Sequence, residues 1–266
     1  MTAQGRWAAH TGESLTEINA VYVIVAREIK KFTREKSRLI STLARPLIWL
    51  FLVGGGMSRL VDPGTGMSYM QFIYPGILGM TILFSSIFSS ISIIWDKEFG
   101  LMKEILVAPV SRISIVIGKA LSGTIISVIQ VLIILTLFPF LGIEMTVMSV
   151  FYVIAISSLL GLCISSLGII VATFFESFES FGAIINFIVM PMFFLSGAMY
   201  PVDKLPPILK ALTKINPLTY GIDALKHAMF SQSSMHDFSL FTDLIFLFTA
   251  TAVAITAASI LFERKN

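Results

Sequence analysis

Residues 72–95 read FIYPGILGMTILFSSIFSSISIIW, a run without a single Asp, Glu, Lys, Arg or His. About 20 apolar residues, rising ~1.5 Å each as a helix, suffice to cross the ~30 Å hydrocarbon layer of a bilayer. The run is about twice the length of a barrel strand and lacks period-two alternation. It therefore predicts a membrane-spanning helix and an all-α membrane protein.

Runs of the same kind recur on either side, at 39–60, 113–138, 148–174, 181–200 and 240–262, for six expected spans. The first contains Arg45-Pro46 and the fifth contains Pro191 and Gly197, so these two are expected to be kinked or interrupted. Backbone groups freed at such breaks must be satisfied within protein or beside water. Composition agrees: 56% of the 266 residues are hydrophobic, 13% are charged and the mean hydropathy is +0.87. A soluble domain carries about 25% charged residues, so too few charges remain to cover a water-facing surface. The 22 Phe residues suit a lipid-facing exterior.

Two regions follow. Residues 1–36 form an N-terminal segment and residues 37–266 the transmembrane domain. Within the first, 18–36 reads as an amphipathic helix, with Val21, Ile24, Val25, Ile29 and Phe32 on one face and Arg27, Lys30, Lys31, Arg34 and Glu35 mostly elsewhere. Such a helix lies in the membrane interface with its cations near anionic headgroups, or packs on a partner. Beyond the fifth run, Pro206-Pro207 opens a short half-apolar stretch, and Asn216 is placed to cap a second helix with Pro217 at its first position. Neither is long enough to span, so two short extracytoplasmic helices, interfacial or re-entrant, are expected between spans five and six.

Orientation follows the Lys and Arg residues. They crowd the N-terminal segment, the 95–112 loop (Lys97, Lys103, Arg112) and the tail (Arg264, Lys265), and are absent from the loops at 61–71 and 139–147. Both termini are expected in the cytoplasm. Lys204, Lys210, Lys214 and Lys226 in the last external loop run against this pattern. A basic cluster just before a span is an orientation signal, so no nucleic-acid partner is expected.

Catalytic constellations are missing: no GxxxxGK[ST] phosphate loop, no HExxH, no GxSxG and no Cys/His cluster. Cys163 is the only cysteine, so there is no disulfide framework. His10, His227 and His236 are read as scattered, with no cysteine or carboxylate at ligand spacing, and neither metal nor cofactor is expected in this chain. The middles of the expected spans lack Asp, Glu, His and Lys, which argues against an ion-coupled carrier. The chain is expected to shape a path, with energy supplied by a partner.

The place for that partner is the cytoplasmic loop, where Glu98, Phe99, Gly100, Leu101, Met102, Lys103, Glu104 and Ile105 lead to Ala108-Pro109. A short amphipathic helix here fits a groove on a soluble protein; a plain connector between spans is the other reading. Glu176 and Glu179 make either a further contact with that partner or a favourable charge at the start of span five. Ser85, Ser86, Ser89 and Ser90 serve close helix packing or line a path. Asn186 requires a helix–helix hydrogen bond or a place on the path.

The 95–109 loop and the later order Phe194-Leu-Ser-Gly-Ala-Met-Tyr-Pro201, Leu205-Pro206, Asn216-Pro-Leu-Thr-Tyr220 and Asp223-Ala-Leu resemble the ABC-2 type permeases, which include drug-resistance and lipo-oligosaccharide or polysaccharide export permeases. Lys226 departs from the Arg often found there. The resemblance implies the transmembrane subunit of an ATP-binding cassette exporter. Two copies of the chain would work with two copies of a separate ATPase, which would hold ATP and Mg. It also implies that residues 98–105 are the coupling helix. A secondary carrier or channel acting alone is the alternative.

Overall fold

The computed structural model describes residues 3–59, 67–107, 110–202, 205–230 and 236–265. Among them every regular element is helical and none is a strand. The expected loop residues 61–66, Ala108-Pro109 and Lys204 fall outside the described residues, as does the side chain of Lys103.

Helix α1 (Ala3–Arg34) is longer than the amphipathic stretch predicted at 18–36; the chain breaks at Glu35 before α2 (Lys36–Ile48). The first span continues through a π-helical stretch, Trp49–Gly54, into α3 (Gly55–Met57). Pro46 has no N–H to donate to the preceding turn, and the widened stretch follows directly behind it. The expected irregularity of span one takes this form.

The decisive run begins as α4 (Tyr69–Ser89) and, after a turn at Ser90, continues as α5 (Ile91–Glu98). A capping box opens it: the Ser68 hydroxyl accepts from the Gln71 amide, and the Gln71 side chain accepts from the Ser68 amide. Helices α7 (Arg112–Leu135) and α8 (Val147–Thr173) are capped by the Ser111 and Thr146 hydroxyls. The short α6 (Leu101–Val107) lies between α5 and α7. Helix α9 (Phe178–Phe194) is followed by α10 (Pro207–Thr213), α11 (Pro217–Met229) and α12 (Leu240–Lys265).

Among the described residues, five helical segments are long and apolar enough to cross a membrane: Leu39–Met57, Tyr69–Glu98, Arg112–Leu135, Val147–Thr173 and Leu240–Lys265. The fifth expected span, 181–200, is shorter than predicted. Its 17-residue helix α9 rises about 26 Å, a little short of the hydrocarbon layer. Pro191 stands in its last turns and Gly197, at φ +73°, turns the chain away.

Helix α4 is the hub. Its span is 89% buried, against 22% for the first span. Helices α7, α8 and α11 pack on α4, α1 lies along α7, and α12 lies on α8. Close approach depends on small side chains: a Cβ at Gly76 would stand 2.6 Å from the Ala198 carbonyl oxygen. Helix α9 and the first span lie at the edge, where Trp49 meets Phe193 and Phe194 edge-on at 6.2 and 6.3 Å.

Candidate functional site

At the end of the bundle where α5 gives way to α6, the expected single helix over 98–105 is an elbow. Helix α5 ends at Glu98, Gly100 turns at φ +75°, and α6 begins at Leu101. A left-handed residue favours glycine because any Cβ there crowds its own carbonyl. The elbow leaves Phe99 62% and Val107 85% exposed, with Leu101, Glu98 and Glu104 also exposed, while Met102 is buried and Ile105 half-buried. Trp95 anchors its base, stacked on Phe99 at 4.9 Å and edge-on to Phe178 at 4.7 Å, with the Lys31 ammonium 5.0 Å from its ring.

Directly behind the elbow lies a buried ionic network. The Lys119 ammonium on α7 donates to Glu28 Oε1 at 2.7 Å, Asp96 Oδ2 at 2.5 Å and Ser92 Oγ at 3.0 Å. Its three protons meet three acceptors. Arg27 Nη2 closes the network, 3.1 Å from Glu28 and 3.0 Å from Asp96. Two cations thus balance two carboxylates. Burial alone would push the Glu28 carboxyl up, but Lys119 and Arg27 outweigh it and hold the group below its ordinary range. Glu17 adds a second tie, accepting from the Ser111 amide at 2.9 Å and its hydroxyl at 2.8 Å. Helix α1 is therefore latched to α5 and α7 at the same end as the elbow.

The sequence matches the family described as ABC-2 type transporter over residues 19–230. The chain belongs to that family. Among its relatives, the "Putative transport permease ycf38" of Cyanophora paradoxa is 33% identical over 232 residues, covering 84% of this chain and 79% of the relative. "Nodulation protein J" of Rhizobium meliloti is 30% identical, with 74% and 76% covered, and "Inner membrane transport permease YadH" of Escherichia coli is 29% identical, with 78% and 82% covered.

Other predicted residues of this ABC-2 permease are not gathered with the elbow. Ser85, Ser86, Ser89 and Ser90 are buried within the one bundle. Ser89 and Ser90 lie against Gly123 on α7 and Gly168 on α8, where a Cβ would collide, so these contacts are helix packing. Asn186 makes no helix–helix hydrogen bond: it is exposed on α9 and its amide donates to the Gly182 carbonyl of its own helix at 2.9 Å. Glu176 and Glu179 are exposed, with Glu179 in the first turn of α9. Nearby, Lys97 caps the end of α8 through the Thr173 carbonyl at 3.1 Å.

The opposite end holds the C-terminal signature. Asn216 caps α11 as expected, accepting from Leu218 N at 3.1 Å, while its amide donates to the Met192 carbonyl at 2.7 Å and ties α11 to the end of α9. Asp223 accepts from the amides of Asp237 and Phe238 at 2.9 and 2.8 Å. Lys226 is buried and pairs with Asp237 at 3.0 Å. The sequence reading passed over two things. Asp223 precedes His227 by four residues on α11, so one carboxylate does stand at ligand spacing. Buried charges also sit near span ends, at Asp96, Lys119 and Asp243. The signal for the network was present: Glu28 interrupts the apolar face between Ile24 and Phe32, where a lone charge requires a partner.

Proposed function

We propose that this permease is the transmembrane half of an ATP-driven exporter in a bacterial inner membrane, with both termini cytoplasmic and two copies engaging two ATPase subunits. The observation that carries the reading is the elbow: an exposed apolar set, Phe99, Leu101 and Val107, flanked by Glu98 and Glu104, mounted on a latched, fully paired ionic base. Such a surface suits a groove on a soluble protein, and its rigid base would pass a push on α6 into α5, α7 and α1. The resemblance to transport permeases and the absence of a phosphate loop from this sequence support the reading that a partner hydrolyses the ATP.

The second copy is proposed to meet the outward face of α9 and the first span. There Asn186 and Phe187 (79% exposed) are neighbours on α9, and Phe51 and Leu52 are exposed on the first span. A polar amide facing outward from an apolar helix suits a path formed between two copies about a two-fold axis. With α9 counted as a short, kinked crossing, the chain makes six passes, and α10 and α11 lie in the external interface.

Gly100→Ala and Glu98→Lys test the coupling. Alanine at φ +75° costs about 1–2 kcal/mol and should bend the elbow. Neither residue is buried, so both variants should insert normally. We expect reduced co-purification with the ATPase and reduced transport into vesicles, with Lys210→Glu in the external segment leaving docking intact. Normal partner binding and normal transport in both variants would reduce the elbow to a connector. Transport driven by an ion gradient with no ATPase would favour the carrier reading.

A further inference from the structure

Two helices, α11 and α12, bring Asp223, His227 and Asp243 together at the end of the bundle opposite the elbow, with one ligand atom from each lying within 4.8 Å of the others. His227 Nε2 is 4.0 Å from Asp223 Oδ2 and 3.8 Å from Asp243 Oδ2. Four ligands around a ~2.1 Å tetrahedral site stand about 3.4 Å apart, so the two His227 distances need contraction by about 0.4–0.6 Å, and the Asp223–Asp243 separation, within 4.8 Å, by at most about 1.4 Å.

The second observation is Asp243 itself. Its side chain is fully buried, and neither carboxylate oxygen has a hydrogen-bond partner. A buried carboxylate left unpaired is costly. Its surroundings deepen the problem: among the described residues, the carboxylates of Asp223, Asp237 and Asp243 face a single ammonium, Lys226. With all three carboxylates ionised, two negative charges are in excess, the charge of one divalent cation. Close by, the His236 ring stacks on His227 at 3.6 Å, and its Nε2 is likewise buried without a partner.

We propose that Asp223, His227 and Asp243 form a binding site for a divalent transition-metal ion, set between α11 and the start of α12. One imidazole nitrogen with two carboxylate oxygens and no thiolate suits Zn²⁺, Co²⁺ or Mn²⁺ and disfavours Cu⁺. The backbone supplies the outer support: the amides of Asp237 and Phe238 hold the Asp223 carboxylate in place. His227 Nε2 now lies 3.0 Å from the Phe238 carbonyl and would turn from it to the ion. An ion here would pin α11 to α12 and so brace the external segment against the spans.

The test uses the full-length chain purified in detergent, with Co²⁺ as the probe. One equivalent should produce a visible ligand-field absorption that Zn²⁺ abolishes by displacement, and Zn²⁺ should raise the melting temperature in a manner reversed by chelator. His227→Ala and Asp243→Asn should each weaken cobalt binding at least tenfold, while Glu179→Gln at the other end should not. The proposal is overturned if no such absorption develops, or if it survives both substitutions. It is equally overturned if Zn²⁺ leaves the wild-type melting temperature unchanged while Asp243→Asn raises it, for Asp243 is then a buried protonated acid. Should Asp243→Asn not fold, His227→Ala decides, since its partly exposed ring is not needed to fill the core.

Discussion

The two ends of this bundle each bury a cluster of charged side chains, and they are built in opposite ways. Behind the elbow, Arg27, Glu28, Asp96 and Lys119 cancel in charge, and the protons of Lys119 all meet acceptors. Around α11, three carboxylates share one ammonium and Asp243 accepts no hydrogen bond at all. The carboxylates and lysines of both clusters are buried alike, so burial does not distinguish them. Pairing does. A balanced, fully bonded network holds helices in one arrangement, whereas an unbalanced one is completed only by something outside the chain.

The sharpest way to break this contrast is Lys119→Met. It leaves Glu28 and Asp96 buried with only the half-exposed Arg27, and removing one member of a buried pair costs roughly 3–5 kcal/mol. We expect a large loss of thermal stability, partly recovered when Asp96→Asn is added, because the second change removes a stranded charge. A small effect for the single variant, or no recovery in the double, would show that the network carries little of the latch.

At the other end the opposite sign is expected. With divalent metal removed by chelator, Asp243→Asn should stabilise the chain by about 1–3 kcal/mol, since it discharges an unpaired carboxylate. Destabilisation under those conditions would mean that Asp243 already has the partners its geometry denies it, and the two ends would no longer differ in kind.

The smallest effect is the acid response of the latch. Glu28 has its pKa lowered in the folded chain, so it adds stability above the ordinary carboxylate value and loses it as the pH falls through the lowered one. A cysteine at Ile24, in a Cys163→Ser background, should therefore stay protected from a soluble thiol reagent until the pH drops below the usual carboxylate range. In Lys119→Met the exposure should begin at higher pH, because the main group lowering the Glu28 value is gone. Identical onsets in the two backgrounds would remove Lys119 from the account.

Much of the architecture was legible in the chain because it is locally encoded. Apolar runs of spanning length mark the long helices, whatever packs beside them. Asn216 and Pro217 mark the start of α11, since a cap acts on amides within three residues. The irregular first span was legible through Pro46, which acts on its own helix. Span five was less so. Its apolar run extends to Tyr200, but the helix stops at Phe194, and only the folded chain reveals the turn at Gly197 packed against Val202.

The charged clusters show where local reading ends. Glu28 and Lys119 stand 91 residues apart in sequence, and no periodicity links a carboxylate on α1 to an ammonium on α7. Asp223 and His227 share a helix and were within reach of a spacing argument, yet Asp243 joins them only because α12 folds back along α11. What the sequence by itself determined is a membrane bundle, its family and its helix starts, for these follow from composition and from neighbours a few residues away. Which buried charges meet, and whether they balance, was decided by tertiary packing. In a medium without water each charge depends on groups that only the fold can deliver.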